Sequence, residues 1–488
     1  MITWGISANS HDAALAVFKD GKLEFASHSE RFSGIKNDRD LHPGMVGHAR
    51  IAYGDPDEVV WYERPLLKTA RQLFAGQGWK ARDNDIEVYL ARYGIEVPIS
   101  YITHHHSHAA AGYFTSPFDE ACIVVIDAIG EFETLTIWQA TGDKLKRVYS
   151  KWFPNSIGLF YSAMTQRVGL KPLEDEYILM GMSAYGDDRY YQRLKDDFLG
   201  DKPYTFKQNL HRGCQQWAPD LIIKDSFDIA HATQHVYEDI LNQVLAHSKK
   251  LVNSDNLVLM GGCALNCLAN RFTGEHYKNT WIMPNPGDAG SSIGAVLAKY
   301  PDWRIANNDF TALLGLDMGY IESNAGIVDY LEEHGVCGLA RGRAEFGPRA
   351  LGNRSLIADP RGPEIKDKVN AIKQRQEFRP FAPAILEELL HGHFDMPRNW
   401  DNSRYMQTVA HCRLPDLYPA IVHHDGTSRV QSVPADGSPF RLLLEEWYER
   451  TGCPMLLNTS LNIKGQPMVN DSSDARAFER MYGIRVFT

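Results

Sequence analysis

The chain has 488 residues, with a hydrophobic fraction of 44%, a charged fraction of 23% and a formal net charge of -10. That length allows two to four domains with a sizeable core, and the negative balance argues against a broad footprint on a nucleic acid polymer, though locally focused positive groups still suit a small anion. The seven cysteines are scattered without a CxxC pair, which argues against a disulfide framework or a cysteine zinc site. No apolar run reaches the ~20 residues of a membrane span and the N-terminus does not read as a signal peptide, so a cytoplasmic location is expected.

In chain order, residues 2–30 read strand, turn, strand, turn, strand. Gly5-Ile6-Ser7 is followed by the run Ala14 to Phe18, the hairpin signal Asp20-Gly21 and the return Lys22 to Ser27. Residues 121–151 repeat the plan: Cys122 to Ile126 ending at Asp127, Thr134 to Ala140, the turn Gly142-Asp143 and Leu145 to Tyr149. The repeat predicts two equivalent halves, each a sheet flanked by helices, a pattern that resembles the actin-like ATPase and sugar-kinase fold. Apolar positions at Val236, Ile240, Leu241, Val244, Leu245 and Leu251 predict one long helix over 228–252, and Leu257 to Met260 reads as a buried strand. The pattern weakens around 301–325, where Pro301, Asn307, Asn308 and Asp309 cluster. A boundary there divides the chain into domains 1–320 and 321–488.

Six segments could carry chemistry. Ile99 to Ile102 reads as a strand leading into Thr103-His104-His105-His106-Ser107-His108, where a helix puts His104 and His108 one turn apart, a spacing that can hold one divalent ion. A hydrogen-bonded histidine cluster is the plainer alternative. Asp127-Ala128-Ile129-Gly130-Glu131 places a carboxylate at a strand's carboxyl end, where it serves a metal or phosphate or merely starts an Asx turn. Gly261-Gly262-Cys263-Ala264-Leu265-Asn266 offers backbone N–H groups to a nucleotide, or only tight packing. Asp288, ahead of the small-residue helix Ile293 to Ala298, is a further metal ligand or a helix cap. Arg349 and Arg354 in the segment 345–355, then Lys373, Arg375 and Arg379, concentrate five basic groups in an acidic chain, which suits a focused anion pocket if they are not ordinary surface charges. Leu457 to Asn462 ends in polar groups fit for a phosphate or carbonyl. Walker and GxSxG motifs are lacking.

Taken together these motifs resemble the NodU/TobZ family of O-carbamoyltransferases over nearly the whole chain. The carriers are His104-His105-x-x-His108-Ala109-Ala110, Asp127 to Glu131, Gly261 to Asn266, Gly287-Asp288-Ala289-Gly290, the eleven residues 345–355, then 373–383 and 458–462. The resemblance implies an α/β and α+β protein: an actin-like (ASKHA, TsaD-like) duplicated domain followed by a YrdC-like domain whose KxR…SxN signature stands at Lys373, Arg375, Ser460 and Asn462. It implies that the second domain turns carbamoyl phosphate and ATP, with Mg, into carbamoyladenylate, bound by Arg349, Arg354, Lys373, Arg375, Arg379, Ser460 and Asn462. The first domain would then pass the carbamoyl group to a hydroxyl, with Asp127, Gly130, Glu131, Gly261, Gly262 and Asn266 at the nucleotide. A divalent metal (iron, or Mn or Mg) would sit on His104, His108, Asp127 and Asp288. His11, of an early His11-Asp12 motif, is the expected general base.

Two departures stand out. The family's DGxGE loop has Ala128 in place of glycine, and Ile178 replaces the usual lysine of the segment 176–186. The segments Ser27 to Phe32 and Lys36-Asn37-Asp38 look like the compact members, which raises a hydroxymethyl pyrimidine nucleotide as acceptor beside antibiotic and sugar hydroxyls. A tRNA threonylcarbamoyl transferase and a non-catalytic nucleotide-binding module are the alternatives weighed. No membrane partner is expected, and a homodimer is compatible with the sequence. The aromatics Trp61, Tyr62, Phe74, Trp79 and Tyr89 belong either to the core or to an acceptor ring.

Overall fold

The computed structural model describes residues 1–305, 310–376, 379 and 381–488. Asn307, Asn308 and Asp309 of the expected boundary, and Phe378 and Pro380 of the basic motif, lie outside the described residues. The chain divides into two compact units, one formed by Met1–Ser29 and Asn37–Phe310, the other by Glu30–Lys36 and Thr311–Thr488.

The first unit is built on two five-stranded sheets. One contains β1 (Ile2–Ser7), β2 (Ala14–Lys19), β3 (Lys22–His28), β4 (Glu58–Trp61) and β5 (Ile99–Tyr101) in the order β3-β2-β1-β4-β5. The other contains β6 (Glu120–Gly130), β7 (Glu133–Thr141), β8 (Lys144–Trp152), β9 (Asn256–Met260) and β10 (Asn279–Trp281) in the order β10-β9-β6-β7-β8. Each is an antiparallel meander of three strands whose first strand pairs in parallel with a later one. The repeat read from the two Gly-Asp-type turns is therefore present as two sheets of one order. The leading strand β6 carries a continuous apolar run, as strands covered on both faces do: Cys122 to Ile126 are fully buried.

Two helices fix the first unit's site. His104–Phe114 packs on Ser291–Lys299, which also lies along β1. Small residues allow the close crossing. A Cβ on Gly294 would stand 1.9 Å from the Ser107 carbonyl oxygen, so only glycine fits there. The long helix Ser226–Leu251 covers the other predicted span. No helix among the described residues is long and apolar enough to cross a membrane. Of the aromatics in 61–95, Trp61, Tyr62 and Tyr89 are buried core, whereas Phe74 and Trp79 are 69% and 71% exposed.

The second unit carries a mixed six-stranded sheet. Its strands are β12 (Val336–Ala340), β14 (Arg354–Ala358), β15 (Ala382–Leu386), β19 (Gln431–Val433), β20 (Met455–Ser460) and β21 (Val486–Phe487), in the order β19-β15-β20-β14-β12-β21. Beside it, β11 (Leu313–Asp317) pairs antiparallel with β13 (Arg343–Glu345). That pairing draws residues 311–320 into this unit, ten residues earlier than the boundary expected from composition. A small sheet of β16 (Phe394–Asp395), β17 (Ala410–Cys412) and β18 (Thr427–Ser428) completes it. The core runs from Ile327 and Leu331 through β14 and β20 to Trp447 and Phe478.

Two candidate active sites

The first site grows from an irregularity in β6. Between the pairs Ile126–Leu135 and Gly130–Glu133, four steps along β6 face two along β7. Such a bulge re-aims side chains at the end of a strand, and here it presents Asp127. His104 and His108 come from the first turns of their helix, and Asp288 from the turn that starts Ser291–Lys299. All four are buried. His104 Nε2 lies 3.1 Å from Asp127 Oδ2, 3.1 Å from His108 Nε2 and 3.4 Å from Asp288 Oδ1; His108 Nε2 is 3.3 Å from Asp288 Oδ1 and 4.0 Å from Asp127 Oδ2.

Four donor atoms that lie within 4.8 Å of one another make a set able to hold one ion. Metal–N and metal–O bonds of about 2.0–2.2 Å put tetrahedral donors roughly 3.3–3.6 Å apart, and the separations from 3.1 to 4.0 Å bracket that range. Two imidazole nitrogens facing each other can share only one N–H between them, and two carboxylates this close repel unless a positive charge compensates them. The residues present therefore fit a divalent cation of the Fe, Mn or Zn kind. Burial disfavours a charged His104, yet Asp288 and Asp127 outweigh it and hold its pKa well above the usual value. Burial and Asp288 work against ionised Asp127, but His104 and His108 bring it down to about 2. The Nδ1 atoms of His104 and His108 are buried without a partner among the described residues.

The residues around this cluster serve it in ways that spacing alone does not reveal. Gly262 donates its N–H to Asp127 Oδ1 at 3.3 Å, just past the positive-φ turn at Gly261. Gly130 lies under the His104 ring, where a Cβ would come within 2.2 Å of His104 Cδ2. Gly130→Ala is thus expected to tilt His104 and lower metal retention at least tenfold while the fold persists, as read by elemental analysis beside far-UV circular dichroism. Ala128 has no positive φ, so the loss of the family glycine there costs no backbone strain. Glu131 does, at φ 51; its Oε1 accepts the Arg64 N–H at 2.6 Å, and burial pushes its pKa up to about 7 although that bond opposes the rise. Asn266 exchanges hydrogen bonds with Gln234 and caps Ala269 N, so its side chain is engaged in packing. Ile178 is buried.

His11 is partly exposed, with Nε2 3.4 Å from Asp288 Oδ2 and Nδ1 3.6 Å from Asp12 Oδ2. Desolvation lowers its pKa, but Asp288 and Asp12 raise it further than that. It is the histidine of the group that faces solvent, which suits proton exchange with a substrate.

The second site lies in the second unit. Lys373 ends the helix Ile365–Lys373, is 5% exposed, and meets the end of β20. Its ammonium donates to Asn462 Oδ1 at 2.8 Å, Ser460 Oγ at 3.1 Å, the Asn462 carbonyl at 3.1 Å and the Ser460 carbonyl. Burial, then Arg375 and Arg379, hold its pKa well below the ordinary lysine value. Arg375 stacks over Phe381 at 3.8 Å and donates to Asn370 Oδ1 at 2.7 Å. Arg349 is half-buried in the loop between β13 and β14, and Arg379 is likewise half-buried. Three of the four KxR…SxN side chains thus share one hydrogen-bonded cluster, with Arg375 two residues on.

Arg354 has a different place from the one expected. It is fully buried in β14, and its guanidinium donates to the carbonyls of Asn470, Arg341, Gly342, Asn353 and Leu316. With its donors spent on backbone it is a framework cation, not an anion-binding group. Arg354→Leu would take a donor from five carbonyls, of which those of Gly342 and Asn353 also accept a backbone N–H, from Met318 and Arg341, so a loss of about 3–5 kcal/mol in stability is expected, read from the urea midpoint.

The roles of two residues within the segments 345–355 and 27–32 escaped the motif reading. Glu345 Oε1 gathers the N–H groups of Leu351, Asn353 and Arg354 at 2.7, 2.9 and 3.2 Å, which shapes the loop carrying Arg349. Arg31, from the stray segment Glu30–Lys36, is buried and donates to the Gly347 and Glu345 carbonyls at 3.3 and 3.5 Å. An acidic residue six to nine positions ahead of the N–H groups it binds was a readable signal for Glu345; nothing local marks Arg31.

With the geometry established, comparison with known proteins gives the family. The family models described as carbamoyltransferase N-terminus and carbamoyltransferase C-terminus match residues 80–297 and 328–487. The chain is 32% identical to the protein sll1178 of Synechocystis sp., over 98% of this chain and 94% of that one. It is 26% identical to the 3'-hydroxymethylcephem-O-carbamoyltransferase of Amycolatopsis lactamdurans, over 97% and 95%. Among solved structures, full-length HypF in its phosphate- and nucleotide-bound form aligns at 12% identity and a TM-score of 0.37, over 62% of this chain and 46% of that one. The chain belongs to the carbamoyltransferase family, and it is an enzyme.

Proposed function

We propose that the protein is an ATP-dependent O-carbamoyltransferase working in two half-reactions, with the second unit as a YrdC-like activation domain and the first as a TsaD-like transfer domain of actin-like fold. The supporting observation is that one chain of this family carries two chemically distinct clusters. Lys373, Ser460 and Asn462 form a cationic polar cluster in one unit, and His104, His108, Asp127 and Asp288 form a metal-type cluster in the other.

In the second unit, water releases phosphate from carbamoyl phosphate. A carbamate oxygen then attacks the α-phosphorus of ATP, and pyrophosphate leaves. Lys373, Arg375, Arg349 and Arg379 offset the anionic oxygens, and Ser460 and Asn462 hold the Lys373 ammonium in place. In the first unit an acceptor hydroxyl oxygen bonds to the carbamoyl carbon, the bond from that carbon to the phosphate oxygen breaks, and AMP leaves. His11 takes the hydroxyl proton in its neutral form, which it reaches once the negative charge of Asp288 and Asp12 that holds its own proton has been offset. A divalent cation bound by His104, His108, Asp127 and Asp288 supplies Lewis-acid charge for the phosphate. Gly130, Gly261 and Gly262 shape the wall of this site.

The acceptor we favour is a small hydroxylated molecule, with hydroxymethyl pyrimidine nucleotides first in the panel and antibiotic and sugar alcohols beside them. The test is incubation with ATP and carbamoyl phosphate and an acceptor panel, read by mass spectrometry. A product heavier by one carbamoyl group, with AMP and pyrophosphate, is the expected result. Carbamoylation without ATP consumption would overturn the adenylate route.

A further inference from the structure

A separate group of ligating side chains sits on the first unit's long helix. His231 and His235 stand one turn apart on Ser226–Leu251, so both rings leave the same face. Against them lies Asp188, at the start of the short turn Asp188–Tyr190. His235 Nδ1 is 2.7 Å from Asp188 Oδ1, and His231 Nε2 is 3.4 Å from the same oxygen. One donor atom from each residue lies within 4.8 Å of the others.

The orientation of His231 carries the argument. Its Nδ1 is 2.7 Å from the Ser183 carbonyl oxygen. A carbonyl only accepts, so Nδ1 bears the hydrogen. In the neutral ring Nε2 then holds a lone pair, and that lone pair faces a carboxylate oxygen. Two acceptors facing each other need a positive charge between them, either a second proton on the ring or a metal ion. The backbone carbonyl behind the ring is also the usual outer partner of a metal-binding histidine, fixing its tautomer and direction. The Tyr191 ring lies 4.6 Å from the His235 ring and restricts it further.

We propose that Asp188, His231 and His235 form a second divalent-cation site, distinct from the buried cluster, that takes a borderline ion such as Zn2+ with water completing its shell. Two imidazoles and one carboxylate are a ligand set for that class of ion. The side chains of Asp188, His231 and His235 are 57%, 35% and 43% exposed, which leaves room for the water ligands. Tetrahedral donors stand roughly 3.3–3.6 Å apart; the His231–Asp188 spacing of 3.4 Å already matches, and the His235–Asp188 pair, at 2.7 Å, opens by roughly 0.6–0.9 Å when its hydrogen bond is replaced. The bound ion ties the turns at Ser183–Tyr185 and Asp188–Tyr190 to the long helix.

The test is a calorimetric titration of the metal-free full-length protein with ZnCl2. His231→Asn and His235→Asn are each expected to take up one equivalent fewer than wild type, and Asp188→Asn to bind that equivalent at least tenfold more weakly. The substituted positions are solvent-facing, and equal melting temperatures without metal establish that the variants fold. Hydrogen exchange gives an independent reading, since Zn2+ should slow exchange over residues 183–190 in wild type and not in His235→Asn. Equal stoichiometry and affinity in all four proteins would overturn the site. A missing ion at the buried cluster would lower every count alike and leave the difference of one intact.

Discussion

Replacing Lys373 by alanine is expected to lower the rate of pyrophosphate release from ATP and carbamoyl phosphate by about 10²–10³-fold, the usual cost of losing a preorganised positive donor in an enclosed site. The ammonium is nearly buried and is held from four sides by Ser460 and Asn462. Its depressed pKa gives the pH dependence a sign. At low pH the group is protonated in folded and unfolded chains alike, and its burial costs stability. As pH rises the folded chain loses this proton first, below the ordinary lysine range. This group's contribution to stability therefore rises with pH over that window, whereas anion binding that needs the ammonium falls. Activity should show an alkaline limb below the range of a solvent-exposed lysine. Lys373→Arg should push that limb to higher pH, even with a lower maximum, because guanidinium keeps its charge. An unchanged limb in Lys373→Arg would assign it to another group.

What the sequence made legible were features whose physics is local. The turns Asp20-Gly21 and Gly142-Asp143, between apolar runs, marked the two meanders, and the sheets have that order. The spacing of His104 and His108 put both rings on one helix face, and apolar periodicity located the long helix. The features that stayed hidden depend on where remote chain passes. Glu30–Lys36 belongs to the second unit because Arg31 reaches carbonyls more than three hundred residues away. Arg354 reads as an anion ligand because arginine in a Gly- and Pro-rich motif usually has donors to spare, yet five carbonyls from four separate stretches of chain consume them. Gly130 and Gly262 read as nucleotide-loop glycines. In the structure one makes room for His104 and the other orients Asp127, roles set by what lies opposite.

The two clusters should fail separately, and Asp288→Asn and His104→Ala test this. Both change the group of donors converging within 4.8 Å. Removing a direct ligand should weaken metal binding by about 100-fold or more, since outer-shell changes alone cost 10–100-fold. Carbamoyl transfer to the acceptor should be lost, while pyrophosphate release persists at its wild-type rate because Lys373 and its partners are untouched. The variants differ in their charge balance. His104→Ala leaves Asp127 and Asp288 buried together with fewer positive partners, so it should also cost about 3–5 kcal/mol of stability without metal. Asp288→Asn removes one of the two repelling carboxylates and keeps both imidazoles, so its metal-free protein should be the more stable of the two. Elemental analysis, urea midpoints and a separate assay of each half-reaction distinguish these outcomes. If Asp288→Asn stops pyrophosphate release as completely as Lys373→Ala does, the division of chemistry between the two units is wrong. If it retains metal and transfer, the buried quartet is a structural ion-pair cluster and the cation site lies elsewhere.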